Sequence, residues 1–257
     1  MKKKFLSIVL ALSMLCAFVP LVASAATSGT CGENVTWTLD EDGTLTISGT
    51  GDMDSSDFSR YDIKSVIIEN SVTSIGDYTF SGCVNLTSIT IPDSVTSIGN
   101  HAFDFCLDLP SIKLSSNLTS IGDQAFYQCK KLTSITIPSS VTSIGEFAFY
   151  ECIGLTSINV DKYNPKYCSV NGNVFSKDKT ELIEYASGKT EKSYIVPNGV
   201  TSIGVQAFSC CKLTSIKLSN SVTNIGEKAF SECSDLTSIE IPNSVTSIEK
   251  GAFYSCS

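Results

Sequence analysis

Residues 86–108 read LTSITIPDSVTSIGNHAFDFCLD, and residues 132–154 read LTSITIPSSVTSIGEFAFYECIG. The shared unit is 23 residues long. It starts at Ile63, Leu86, Leu109, Leu132 and Leu155, and its phase resumes at Leu213 and Leu236. Self-similarity at such a period marks a stacked array, in which one coil cannot bury both its faces and each coil covers the next.

The positions of the unit divide by chemistry. In the copy from Leu86, Leu86, Ile89 and Ile91 alternate with Thr87, Ser88 and Thr90, so the apolar set should point inward from a short strand. Pro92 lacks an N–H and ends that strand. Val95 and Ile98 form a second inward pair, and Gly99 suits a turn with positive φ. Ala102, Phe103 and Cys106 fall at one-turn spacing, which predicts a short helical or 3₁₀ segment. Stacking then turns like residues into ladders. Phe80, Phe103, Phe126, Phe149, Phe208, Phe230 and Phe253 form one of them.

The unit L-x-x-I-x-I-P-x-x-V-x-x-I-G-x-x-A-F-x-x-C resembles the BspA-type leucine-rich-repeat family of bacterial surface proteins, over about residues 31–257. The resemblance implies a β-rich leucine-rich-repeat solenoid, with one short strand per coil on its concave face and short strand, turn and 3₁₀ segments elsewhere. It also implies an association with cell-surface attachment and protein binding.

Outside the repeats the pattern changes. Lys2–Lys4, an apolar run from Phe5 to about Val22 and Ala23-Ser24-Ala25 read as a secretory signal peptide over residues 1–25. No later run is apolar enough to span a membrane. Residues 26–62 carry two alternating stretches, Val35–Leu39 and Thr44–Ile47, around Asp40-Glu41-Asp42-Gly43. They read as a β-hairpin capping the repeats of 63–160. The acidic turn reads as solvated, because it lacks the spaced oxygen ligands of a calcium loop. Residues 161–193 break the period. Asn173–Phe175 and Leu182–Tyr185 flank a polar turn, which predicts a hairpin or enlarged coil before repeats resume over 194–257. After the last ladder cysteine, Cys256, no polar cap follows. The final coil is expected to end bare, to dock on a second copy or to continue in further sequence.

Composition narrows the function. Without the three leader lysines, 15 basic side chains face 26 acidic ones, a net charge of −11. Such a surface repels polyphosphate and anionic lipid, so nucleic acid is not an expected partner. Seven of the ten cysteines beyond the leader (Cys83, Cys106, Cys129, Cys152, Cys211, Cys233 and Cys256) hold one repeat position, which reads as a buried ladder of small, mostly free thiols. No C-x-x-C pair suggests zinc or redox chemistry. The one histidine, His101, stands where other copies carry Gln124, Phe147, Gln206 or Lys228, so it reads as a surface residue. No G-x-S-x-G, H-E-x-x-H or P-loop occurs. The expected reading is a secreted or surface-displayed, non-enzymatic protein without cofactor or metal.

What remains is a binding surface. Outward from the first strands, Ser65, Ser88, Ser111, Ser134, Ser157, Ser215 and Ser238 form an unvarying column. Two positions on, Ile67, Thr90, Lys113, Thr136, Asn159, Lys217 and Glu240 vary, and this column is the first candidate for recognising an extracellular protein or glycan. Tyr163, Tyr167 and Tyr185 in the interruption are further candidates, since non-repeat loops on repeat scaffolds carry individual function. The alternatives are a passive spacer, favoured by the small polar faces, and a crystal-face binder, whose lattice the variable column breaks.

Overall fold

The computed structural model describes residues 27–59 and 61–256; the signal-peptide reading of residues 1–25 lies outside the described residues. Each repeat makes one coil, most with two short strands. In the copy from Leu86 these are Ser88–Thr90 and Ser97–Ile98. Leu86, Val95, Ile98, Ala102, Phe103 and Cys106 are buried, while Ile89 and Ile91 are half-buried against the core.

Identical coils stack in register because only that places each apolar side chain on its counterpart. The first strands pair in parallel, Ser65 beside Ser88, Ser134 beside Ser157, Ser193 beside Ser215 and Ser215 beside Ser238. The second strands do the same, through Ile75, Ile98, Ile121 and Ile144, then through Leu182, Ile203, Ile225 and Ile248. The first sheet thins at one coil, where Ser111 makes only an isolated bridge to Ser134. Pro110 explains it. Thr87, Thr133 and Thr156 at this position donate their N–H to the preceding coil at 2.9, 3.2 and 2.9 Å, and proline has no N–H to give.

Two local expectations need correction. The described residues contain no helix and no 3₁₀ turn, so Ala102–Cys106 and its counterparts are not helical. The N–H groups of His101, Phe103 and Phe105 leave their own coil and bond to the carbonyls of Asp123, Ala125 and Tyr127, each at 2.8 Å. The intervening N–H groups of Asp104 and Cys106 close turns onto His101 and Phe103 at 3.2 Å. Alternate donors aimed along the stack require left-handed residues, and His101 and Phe105 both have φ of 54°. Gly99 itself is not in the left-handed region. It is glycine because a Cβ there would meet the Asp77 carboxylate and lie 2.6 Å from the Asp77 nitrogen of the preceding coil.

The phenylalanine ladder stacks at 5.3–5.6 Å between ring centroids from Phe80 through Phe103 and Phe126 to Phe149. It gains an unforeseen first rung, Phe58, 5.9 Å from Phe80. Beyond Phe149 the stack breaks, and a second one runs from Tyr185 through Phe208 and Phe230 to Phe253 at 5.2 Å spacing. The apolar core divides at the same place, one part reaching back to Cys31 and the other beginning at Phe175. Beside the ladder, Cys106, Cys129, Cys152, Cys233 and Cys256 donate their thiols to the carbonyls of Phe80, Phe103, Phe126, Phe208 and Phe230 at 2.9–3.3 Å. The thiol is therefore a donor as well as a small hydrophobe, and all ten described cysteines are free.

At the N-terminal end, Val35–Leu39 pairs antiparallel with Thr44–Gly49, as the alternation predicts, and Thr27–Thr30 adds a third strand. Thr44–Gly49 then pairs in parallel with Ser65–Ile68 and covers its edge. Asp40 Oδ1 accepts the N–H groups of Asp42 and Thr44 at 3.0 and 2.8 Å, so this oxygen serves the turn. Trp37 packs within 5.4 Å of both Phe58 and Tyr61.

In the interruption, Tyr167–Val170 and Asn173–Ser176 form a hairpin about Asn171-Gly172, both left-handed at φ 51° and 74°, as a two-residue primed turn requires. Asn173–Ser176 pairs in turn with Glu181–Glu184, which opens the second stack. Asn164 anchors the segment. Fully buried, it donates to the Pro138 and Val141 carbonyls, both at 2.8 Å, and accepts the Lys166 and Tyr167 N–H groups at 2.9 and 2.8 Å.

Candidate binding face

Strand alternation and the parallel register bring the variable column together. Ile67 lies beside Thr90, Thr136 beside Asn159, and Lys217 beside Glu240. These six residues and Lys113 are all exposed. Two members were not legible from the repeat. Thr46, in the N-terminal meander, aligns with Ile67, and Ile195 aligns with Lys217. Ile195 is 69% exposed and Ile67 43%, so the column carries two apolar side chains in water. Ile195 escaped notice because its strand, Ser193–Ile195, lies outside the regular phase.

Both lysines of the column have carboxylate company. Lys217 Nζ lies 2.6 Å from Glu240 across the strand pair, and both side chains are largely exposed. Such a pair contributes little stability, about 0–1 kcal/mol, but it fixes a local charge pattern. Asp93 is held below the usual carboxylate range by the Ser116 N–H and hydroxyl, and further by nearby Lys113. The column does not run unbroken. The Asn171-Gly172 turn intervenes after Asn159, with the Gly172 carbonyl accepting the Ile158 N–H at 2.8 Å.

The three tyrosines of the interruption separate. Tyr163 is 75% exposed, with Lys162 Nζ 4.8 Å from its ring centroid. Tyr167 is half-buried; its hydroxyl accepts the Ile144 N–H at 3.2 Å and pins the hairpin to the preceding coil. Tyr185 corrects the expectation outright. It is 2% exposed and replaces phenylalanine in the second stack, so it offers no surface to a ligand.

On the turn side, aromatic residues stack outside the core. Tyr78 lies on His101 at 4.5 Å, and Tyr127 on Tyr150 at 5.5 Å. His101 Nδ1 also lies 3.0 Å from the Asp104 carboxylate. The signal for this face is the aromatic variation two positions before and one position after the ladder phenylalanine.

Buried Cys31, Cys83, Cys106 and Cys152 are poor nucleophiles. Burial pushes Cys83 up to about 12, Cys31 up to about 11, and Cys106 and Cys152 well above the ordinary thiol value. The thiolate that catalysis needs is disfavoured there. No group of three or more His, Cys, Asp or Glu among the described residues could hold a metal ion. No helix among them is long and apolar enough to cross a membrane.

Comparison with known proteins agrees with this architecture. A family model described as the BspA type leucine rich repeat region matches six copies, over residues 52–182 and 162–257. A leucine-rich repeat protein from Eubacterium ventriosum is 25% identical with a TM-score of 0.69; the match covers 90% of this chain and 76% of that one. A leucine rich cell surface protein from Faecalibacterium prausnitzii is 25% identical with a TM-score of 0.52, covering 90% of this chain and 86% of that one. The pneumococcal vaccine antigen PcpA shares the fold at 23% identity and a TM-score of 0.59, with 90% and 74% covered. No curated protein matches the chain. With six copies of the family unit matched over most of its length, the chain belongs to the BspA-type leucine-rich-repeat family.

Proposed function

We propose that this protein acts outside the bacterial cell, secreted or at its surface, as a non-enzymatic scaffold that binds an extracellular protein or glycan through its first sheet. The observation that carries the reading is a variable, exposed column on an invariant frame. The serine column keeps the sheet flat, while the neighbouring positions offer apolar, amide, hydroxyl, cationic and anionic groups at each successive coil. Within each paired segment, parallel strands hold these groups about 4.8 Å apart, which preorganises them and lowers the entropic cost of binding. The Faecalibacterium neighbour is described as a cell surface protein, which supports the location.

The test is binding of the purified chain to extracellular-matrix proteins, mucins and glycans, with a Lys113→Glu/Lys217→Glu variant alongside. Lys217→Glu would face Glu240 with a like charge. Saturable binding that is lost in the variant supports recognition by the column. Binding that the variant retains moves recognition to another face. The flat serine column favours a second reading, a passive spacer of the cell surface, and no binding to any ligand supports it.

A further inference from the structure

The coil that closes the interruption, through Leu182 and Tyr185, is two residues short. Leu182 pairs with Ile203, and Tyr185 stacks on Phe208 while its N–H bonds to the Ala207 carbonyl at 2.7 Å. Only Ile183 and Glu184 therefore stand where the next coil has Gly204-Val205-Gln206-Ala207. The missing turn leaves a gap between the flanking coils, at the same seam where the aromatic ladder and the core divide.

That gap is a chamber of about 170 Å³. A cavity of about 150 Å³ holds one benzene ring. Ile144, Phe149, Val174 and Val205 supply apolar wall, and the polar groups inside are Glu181 and Glu184. Exposed Glu146 adds a third carboxylate to the lining, which contains no lysine, arginine or histidine.

Glu184 is the informative residue. Strand alternation sets it on the same side as buried Leu182, and it is half-buried. It lines the chamber. Neither a hydrogen-bond donor nor a cation meets its carboxylate among the described residues. Burial raises both Glu184 and Glu181, with Asp178 adding to the effect on Glu181; the titratable neighbour Cys152 is itself a raised, neutral thiol. A half-buried carboxyl that protein encloses without offering it a donor loses part of its hydration, and perturbed groups of this kind concentrate at binding sites.

We propose that this chamber binds a small organic cation, a primary ammonium on a short apolar stem, with Glu184 as its counter-ion. The ammonium supplies the donors that Glu184 lacks, and the stem fills the apolar wall. Anions find no lysine, arginine or histidine in this wall. A neutral apolar guest leaves Glu184 unpartnered. Calcium needs six to eight oxygens converging on one point, and no such group of carboxylates is assembled among the described residues.

The experiment titrates the purified full chain with benzylammonium and n-butylammonium chloride at neutral pH, by calorimetry and by melting temperature. The parent should bind saturably at millimolar concentration and melt higher. Glu184→Gln keeps the shape, removes the charge and should weaken binding about tenfold or more. Benzyl alcohol should be weaker than benzylammonium by a similar factor. Val205→Trp, which fills the chamber without changing charge, should abolish binding and keeps the test decisive if Glu184→Gln fails to fold. Absence of saturation in the parent, or unchanged affinity in either folded variant, overturns the proposal. The first-sheet reading stands or falls separately.

Discussion

Phe126→Ala tests the ladder at its most constrained rung. Phe126 has no exposed surface, and its ring lies parallel to those of Phe103 and Phe149 at 5.3 and 5.6 Å. Truncation removes the transfer free energy of a buried ring, leaves a cavity between two stacked neighbours and removes both ring contacts. For a site that cannot collapse, the loss is about 3–5 kcal/mol. Phe253 is only partly buried and stacks on Phe230 alone, so Phe253→Ala should cost about 1–2 kcal/mol. The single tryptophan gives a local reporter, because Trp37 belongs to the same core cluster as Phe126. In urea, with a slope of about 1–3 kcal/mol per molar, Phe126→Ala should lower the Trp37 midpoint by on the order of 1 M or more. The ladder break between Phe149 and Tyr185 adds a spatial expectation. Amide exchange in Phe126→Ala should quicken first before the seam, while residues beyond Val196 keep more of their protection. An unchanged Trp37 midpoint, or equal losses for Phe126→Ala and Phe253→Ala, would refute stacking as the source of stability.

Three further outcomes follow from the geometry. Gly122→Ala should cost about 1–3 kcal/mol in urea denaturation, because the new Cβ would lie 2.6 Å from backbone atoms of Asn100 and Gly99; a neutral result would disprove that close approach. Stability should fall above about pH 9. Cys83, raised from 9.0 to about 12 by burial and then by Asp57, stays protonated in the fold while the unfolded chain ionises. Folding then loses about 1.4 kcal/mol per pH unit for such a thiol between those two values. Cys83→Ser should flatten urea midpoints measured from pH 8 to 11, and an identical slope would argue against the buried thiol. Thiol titration in denaturant without reductant should find roughly six or more reactive groups, since parallel Cβ directions in the ladder make bonding awkward; two or fewer would mean an oxidised ladder.

Much of this was legible because the period is strict. One 23-residue unit, read once, gives inward and outward positions for every coil. In-register stacking converts it into the Phe and Cys ladders, the serine column and the variable column. The flanking residues Thr46 and Ile195 escaped, because they join the column only through pairing outside the period. The tyrosines of the interruption read as one aromatic group, yet contacts with three different surroundings separate exposed Tyr163, pinned Tyr167 and buried Tyr185.

The sequence alone determined the stacked architecture, since apolar period and strand alternation are local properties that repetition makes unambiguous. Tertiary structure decided what depends on the neighbouring coil. The turn segment follows αL geometry rather than 3₁₀ because its N–H groups bond along the stack. Gly99 is glycine because Asp77 of the previous coil leaves no room for a Cβ. Glu184 reads as an ordinary polar residue in an irregular segment. Only the two-residue shortening of its coil, visible once Leu182 meets Ile203 and Tyr185 meets Phe208, sets it in the wall of a chamber.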